Sequence, residues 1–167
     1  TMKRSPMMRA SRLAIPTLLT ALAWGVAAHA APASPFRALE GSWSGGGVIS
    51  MSDGNQERLR CRAAYDVGGA GEQLRLNIRC ASDSYNIDLS SDVAYRGGES
   101  SGQWTESSHN ASGTIEGRAV GSRIEAQARG QTFSAVLALT TSGKRQTVSI
   151  RPAGAEITAV DLQLSRR

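Results

Sequence analysis

From Gly41 onward the chain alternates apolar and polar residues with a period of two, and no ten-residue window carries apolar positions spaced at three and four. The alternating stretches are short and end at Gly, Ser, Asn or Asp, the usual boundaries of extended segments. They predict strands over 42–51, 57–66, 73–81, 84–89, 92–96, 101–107, 113–119, 122–129, 131–140, 145–151 and 157–165. Asp53-Gly54, Gly68-Gly69, Gly97-Gly98, Gly121-Ser122, Gly130-Gln131 and Ser142-Gly143 supply turns between them. Hairpin-linked strands in this number must hide their edges. The domain over 41–167 is therefore expected to be all-β, a single antiparallel up-and-down barrel or a tight sandwich.

The clearest hairpin holds both cysteines. Leu59, Cys61, Ala63 and Tyr65 share one face of its first strand, and Leu74, Leu76, Ile78 and Cys80 one face of its second. A turn centred on Gly69-Ala70-Gly71 sets Cys61 opposite Cys80, within reach of a disulfide. A catalytic or metal-binding pair lacks both a C-x-x-C spacing and a nearby histidine. The same register puts Arg58, Arg60, Arg62, Arg75 and Arg79 on the other face, with Arg62 across from Arg79 and Asp66 across from Arg75. Like charges set opposite each other are destabilising unless an anion offsets them. That face is either an anion- or partner-binding surface or a solvated exterior whose arginine stems cover apolar area.

The first forty residues follow a different pattern. Lys3, Arg4, Arg9 and Arg12 precede an apolar run from Leu13 to Ala28, broken by Pro16, and Ala28-His29-Ala30 follows. This is the three-part pattern of a secretory signal, with cleavage expected after Ala30 by the general export route. The run is short for a bilayer core of about 30 Å, so no transmembrane segment is expected after cleavage. Residues 31–40 are expected to be a short tether. The formal charge of +5 now changes meaning, because residues 31–167 keep 15 basic and 14 acidic groups. A nearly neutral domain offers no general attraction to nucleic acid or to anionic membrane. The expected location is the periplasm.

Gly41-Ser42-Trp43-Ser44-Gly45-Gly46-Gly47 resembles the opening strand of calycin-type barrels, the lipocalin, avidin and nitrobindin-like groups. The resemblance implies an up-and-down barrel of about 8–10 strands with Trp43 packed across one end. In lipocalins a late arginine packs on that tryptophan, which here implies Arg166 or Arg151. Nitrobindin-like haem binding needs a histidine near the C-terminus; none follows His109, so no haem or other cofactor is expected. A wider resemblance runs through Asp53-Gly54, Glu57-Arg58-Leu59-Arg60-Cys61-Arg62, Leu76-Asn77-Ile78-Arg79-Cys80-Ala81-Ser82, Ser101-Gly102-Gln103-Trp104-Thr105-Glu106 and Gln146-Thr147-Val148-Ser149-Ile150-Arg151-Pro152. These stretches are similar to small exported alphaproteobacterial proteins of unassigned function, which implies a compartment and a lineage and no activity.

Chemistry is sparse. Outside the signal, His109 is the one histidine, so a zinc site built on several histidines is excluded and no metal is expected. His109 sits in Ser107-Ser108-His109-Asn110-Ala111-Ser112, a loop by composition, and no G-x-S-x-G elbow accompanies it. Glu106, two residues from Trp104, could pair with Glu57 or Asp88 for acid/base work on a glycan, its pKa raised by the indole. The alternation serves equally well with Trp104 capping the core and Glu106 at its rim. No catalytic residue is therefore assigned, and a non-enzymatic binding module is expected. Its ligand-lining candidates are Trp43, Tyr65, Tyr85, Tyr95, Trp104 and Phe133, for a small apolar or amphipathic ligand or an envelope protein or glycan. The alternative is an inhibitor or structural partner of another exported protein, docking through the arginine face.

Overall fold

The computed structural model describes residues 33–167; the expected signal segment and its cleavage point lie outside them. Ten antiparallel strands form a closed barrel. They are β1 (Gly41–Met51), β2 (Gln56–Gly68), β3 (Gln73–Ala81), β4 (Asn86–Arg96), β5 (Glu99–Glu106), β6 (Ala111–Val120), β7 (Arg123–Gly130), β8 (Ser134–Ser142), β9 (Arg145–Ala153) and β10 (Ile157–Arg166). Each strand pairs with its sequence neighbours, and β1 closes the ring on β10. Closure removes every edge, as a meander of hairpins requires.

The cysteine hairpin has the expected register, with Cys61 paired to Cys80 and bonded to it, Arg62 to Arg79 and Asp66 to Arg75. The segments expected at 84–89 and 92–96 are one strand, β4. Its polar middle, Ser90-Ser91, reads as a break, but the buried Ser91 hydroxyl donates to the Gln103 carbonyl at 2.8 Å and the strand runs on. Between β4 and β5, Gly97 and Gly98 both take positive φ (61° and 94°), which a tight hairpin turn of the primed type demands. On β1 the glycines allow close approach of backbones. A Cβ on Gly47 would lie 1.8 Å from the Asp161 carbonyl oxygen of β10.

The tether expected over 31–40 is corrected for Ser34–Glu40. Pro35–Ala38 forms a turn of 3-10 helix, started by proline and capped by Ser34, whose hydroxyl accepts from the Phe36 amide at 3.2 Å. Phe36 and Leu39, three apart and so on one face of this turn, are buried against the barrel end. Their apolar area outweighs the Pro/Ala/Ser composition that suggested a free linker.

The interior is packed unevenly. On β1, β2 and β10 the inward residues Ile49, Leu59, Ala63, Val160, Leu162 and Leu164 are buried. On β6 to β9, Ala128, Ala135, Thr141 and Gln146 are buried, whereas Ile115, Ile124, Leu137, Leu139, Val148 and Ile150 face inward, pack against the buried clusters and stay half-buried. β6 and β7 present Gly113, Gly117, Ala119, Ala126 and Ala128 to the inside, which leaves room there for larger side chains such as Trp104, whose ring reaches over Gly113 and Gly130.

Candidate functional site

The end covered by Pro35–Ala38 is a sealed floor. The Trp43 ring N–H donates to the Leu39 carbonyl at 2.6 Å, its face carries the Arg166 guanidinium at 4.8 Å, and Tyr65 meets it edge-on at 6.3 Å. Arg166 is thus the arginine on the tryptophan; Arg151 instead pairs with Asp161 at 2.9 Å. The Tyr65 hydroxyl donates to Gln146 Oε1 at 2.7 Å, so this buried polar group is satisfied. Burial pushes its pKa up, with the Gln146 bond acting the other way. Phe36 packs edge-on against Tyr95. Trp43, Tyr65 and Tyr95, expected to line a ligand, are therefore floor residues, because the apolar plug of Phe36 and Leu39 had to be covered.

The remaining aromatic candidates gather at the opposite end, which no described segment crosses. Trp104 lies over the wall of β6 and β7, its ring N–H donating to the Thr114 carbonyl at 3.1 Å and its ring touching the positions of Gly113 and Gly130. Phe133 joins it at 5.4 Å. Tyr85, on the loop from β3 to β4, stacks on the His109 ring at 4.7 Å and 20°. Next to this pair is Glu106, the last residue of β5, facing inward and buried.

Glu106 is the best-connected side chain of this end. Its carboxylate accepts from the backbone N–H of Asp88 (2.8 Å), Ser108 (3.1 Å) and His109 (2.7 Å), and lies 2.8 Å from His109 Nδ1. Burial pushes its pKa up, but these hydrogen bonds outweigh burial and hold it below the ordinary 4.5. The raised pKa expected beside Trp104 is thereby overturned. Nor does an acid pair assemble. Asp88 turns outward to Arg79 at 3.1 Å, and half-buried Glu57 accepts from the Ser82 hydroxyl and the Ser84 amide and hydroxyl, which lower its pKa. Tyr85 is pushed up by burial first, then by the charges of Glu106 and Glu156.

A carboxyl whose folded pKa is depressed contributes stability above its unfolded value and loses it as pH falls through the folded one. Glu106→Gln is expected to lower the unfolding free energy by about 1–2 kcal/mol at neutral pH, the gap narrowing below about pH 4. Urea melts of both proteins across that range check it, and a gap constant with pH would mean that the carboxylate's charge contributes nothing.

Outside the barrel, Arg75 and Arg79 are paired with Asp92 (3.2 Å) and Asp88 (3.1 Å) of β4. The Asp66 expected to answer Arg75 faces it in register without an ion pair. Arg58, Arg60 and Arg62 have no carboxylate partner among the described residues. Arg60, Arg62 and Arg79 border an open groove on the outer wall, shared with Ser44, Asn77 and Arg167. Among the described residues no group of three or more His, Cys, Asp or Glu is placed to hold a metal, and no helix is long and apolar enough to cross a membrane.

The ring closed by β1 on β10, with Trp43 and Arg166 sealing one end, decides the architecture. The fold is a calycin-like barrel. The S-type phycobiliprotein lyase CPES from Guillardia theta superposes on it with a TM-score of 0.63 at 10% identity, over 79% of this chain and 90% of that one. Rv2717c from M. tuberculosis does so with a TM-score of 0.60 at 13% identity, over 81% of this chain and 98% of that one. No family model matches the chain, and no curated protein matches it in sequence. The expectation of a non-enzymatic module does not stand, since a barrel of this shape serves a lyase. At such identity the likeness shows the fold alone and assigns no reaction here.

Two features of this end escaped the sequence reading. His109 lies in a loop by composition, although its spacing of three from Glu106 across a tight turn is the signal that pairs them. The half-buried wall of β6 to β9 was hidden because alternation reports which way a side chain faces and not whether the space it faces is filled.

Proposed function

We propose that this protein is an exported, periplasmic barrel that takes a small apolar or amphipathic ligand through the end ringed by Tyr85, Glu106, His109 and Phe133. One observation carries the reading: apolar side chains on β6 to β9 point inward and stay half-buried, opposite a floor that is fully packed. Apolar surface placed against such half-buried side chains is stabilised by roughly 25 cal/mol per Å² removed from water. Export is supported by the charged, apolar and small-residue order of residues 1–30, and a disulfide is compatible with it.

N-phenyl-1-naphthylamine, whose emission rises in apolar surroundings, tests the interior. The wild-type barrel is expected to bind it. Ala126→Phe, which places a ring in the space beside β6 and β7, is expected to weaken binding by about tenfold or more while the unfolding temperature stays close to wild type. A wild-type barrel that leaves the probe dark has no accessible interior.

A second reading, docking of an acidic envelope component on the outer wall, is favoured by the unpaired Arg58, Arg60 and Arg62. Binding there would survive Ala126→Phe, which separates the two.

A further inference from the structure

The position and hydrogen bonding of His109 carry an inference about what the barrel takes, and it rests on the ligand-binding reading above. Both oxygens of Glu106 already accept backbone N–H groups, Oε1 from Asp88 and Ser108 and Oε2 from His109. A carboxyl proton would have to compete with these donors for the same lone pairs, so the group is held as a carboxylate. His109 Nδ1, 2.8 Å from Oε2, must then be the donor in that contact. This fixes the tautomer of the neutral ring. Nδ1 carries the proton and Nε2 keeps its lone pair.

Nε2 has no hydrogen-bond partner among the described residues, and the side chain is 45% exposed. Tyr85 stacks on the ring and in turn packs against the apolar core, so the imidazole is held at the boundary between the interior and water. The result is an oriented hydrogen-bond acceptor at the end of the barrel opposite the floor. The surrounding charges add a preference. The loops at this end, 52–55, 82–85, 107–110, 131–133 and 154–156, carry Asp53, Asp83 and Glu156 and neither Lys nor Arg, and Glu57 stands at the start of β2. An anionic head group approaching here meets like charge.

We infer that His109 Nε2 is the polar anchor of the interior site, and that the ligand is an apolar molecule ending in a hydrogen-bond donor, a hydroxyl or an amine, with anionic heads disfavoured. Glu106 is a positioning residue, acting through the histidine.

The test uses the whole barrel at about pH 8, where an ordinary imidazole is neutral. N-phenyl-1-naphthylamine is displaced by 1-decanol, by 1-methoxydecane, which has similar length and no donor, and by decanoate. Decanol is expected to displace the probe at about three- to tenfold lower concentration than 1-methoxydecane, the worth of one hydrogen bond, and at lower concentration than decanoate. In His109→Phe, which keeps a ring against Tyr85, the preference for decanol over 1-methoxydecane is expected to vanish while the probe still binds. ¹⁵N shifts of the wild-type imidazole, which need no variant, are expected to show a protonated Nδ1 and a bare Nε2. The inference is overturned by the opposite tautomer, by 1-methoxydecane or decanoate competing as well as decanol, or by a decanol preference that survives in His109→Phe. In those cases probe binding still upholds the ligand-binding reading. A probe that never binds wild type defeats that reading, and this one with it.

Discussion

Trp43→Ala is expected to lower the unfolding free energy by about 3–5 kcal/mol, the range for removing a buried aromatic side chain. Trp43 is 1% exposed and joins three things at the floor: the plug, through its bond to the Leu39 carbonyl; the barrel wall, through Tyr65; and the last strand, through Arg166. Truncation leaves a cavity, a carbonyl without its donor and a guanidinium without its aromatic face, and these losses add in one direction. The surroundings cannot collapse into the gap easily, because the strands around it are tied into a closed ring. At roughly 3–4 °C per kcal/mol for a domain of this size, the melting temperature should fall by about 10–20 °C. Trp43→Phe should recover part of the loss, since it restores ring volume and not the N–H bond. A loss below about 1 kcal/mol for the alanine variant would show that the plug is not held by this ring.

The double variant Cys61→Ala/Cys80→Ala is expected to lose about 3 kcal/mol, a fall of about 10 °C, with the barrel retained. The bond closes a loop with a sequence separation of 19, so its chief effect is to restrict the unfolded chain. The register of β2 with β3 has other supports, in the hairpin turn and in the buried face of Leu59, Ala63, Tyr65 and Leu74, so the fold survives without it. Both sulfur-bearing residues are buried, at 3% and 6% exposure, and reductant should act slowly until the barrel opens. Thermal melts of the double variant and of fully reduced wild type should coincide. Oxidised and reduced wild type melting at the same temperature would contradict a stabilising bond.

Much of the barrel was legible in the residues because a strand's alternation is a local property. The cysteine hairpin is the clearest case: Gly69-Ala70-Gly71 sets the turn, and the period of two then forces Cys61 onto Cys80 and Arg62 onto Arg79. The break expected inside β4 came from reading Ser90-Ser91 by composition, when a hydroxyl bonded across to Gln103 satisfies it within the strand. Phe36 and Leu39 were hidden in the same way by their proline- and alanine-rich neighbours. Aromatic residues were legible as inward-facing but not by depth, and depth separates Trp43, Tyr65 and Tyr95 in the floor from Tyr85, Trp104 and Phe133 at the open end.

What the sequence determined by itself is the strand order, the inward and outward faces, the cysteine pairing and the small inner residues of β6 and β7, each set by neighbours along the chain or across one turn. Three matters were decided only in the tertiary structure: which end Phe36 and Leu39 cover, which inward side chains stay half-buried, and how Glu106 orients His109 beside Tyr85. These depend on groups from distant strands meeting in space after the ring closes, and the volume inside a closed ring is a property of all ten strands together, which no single segment encodes.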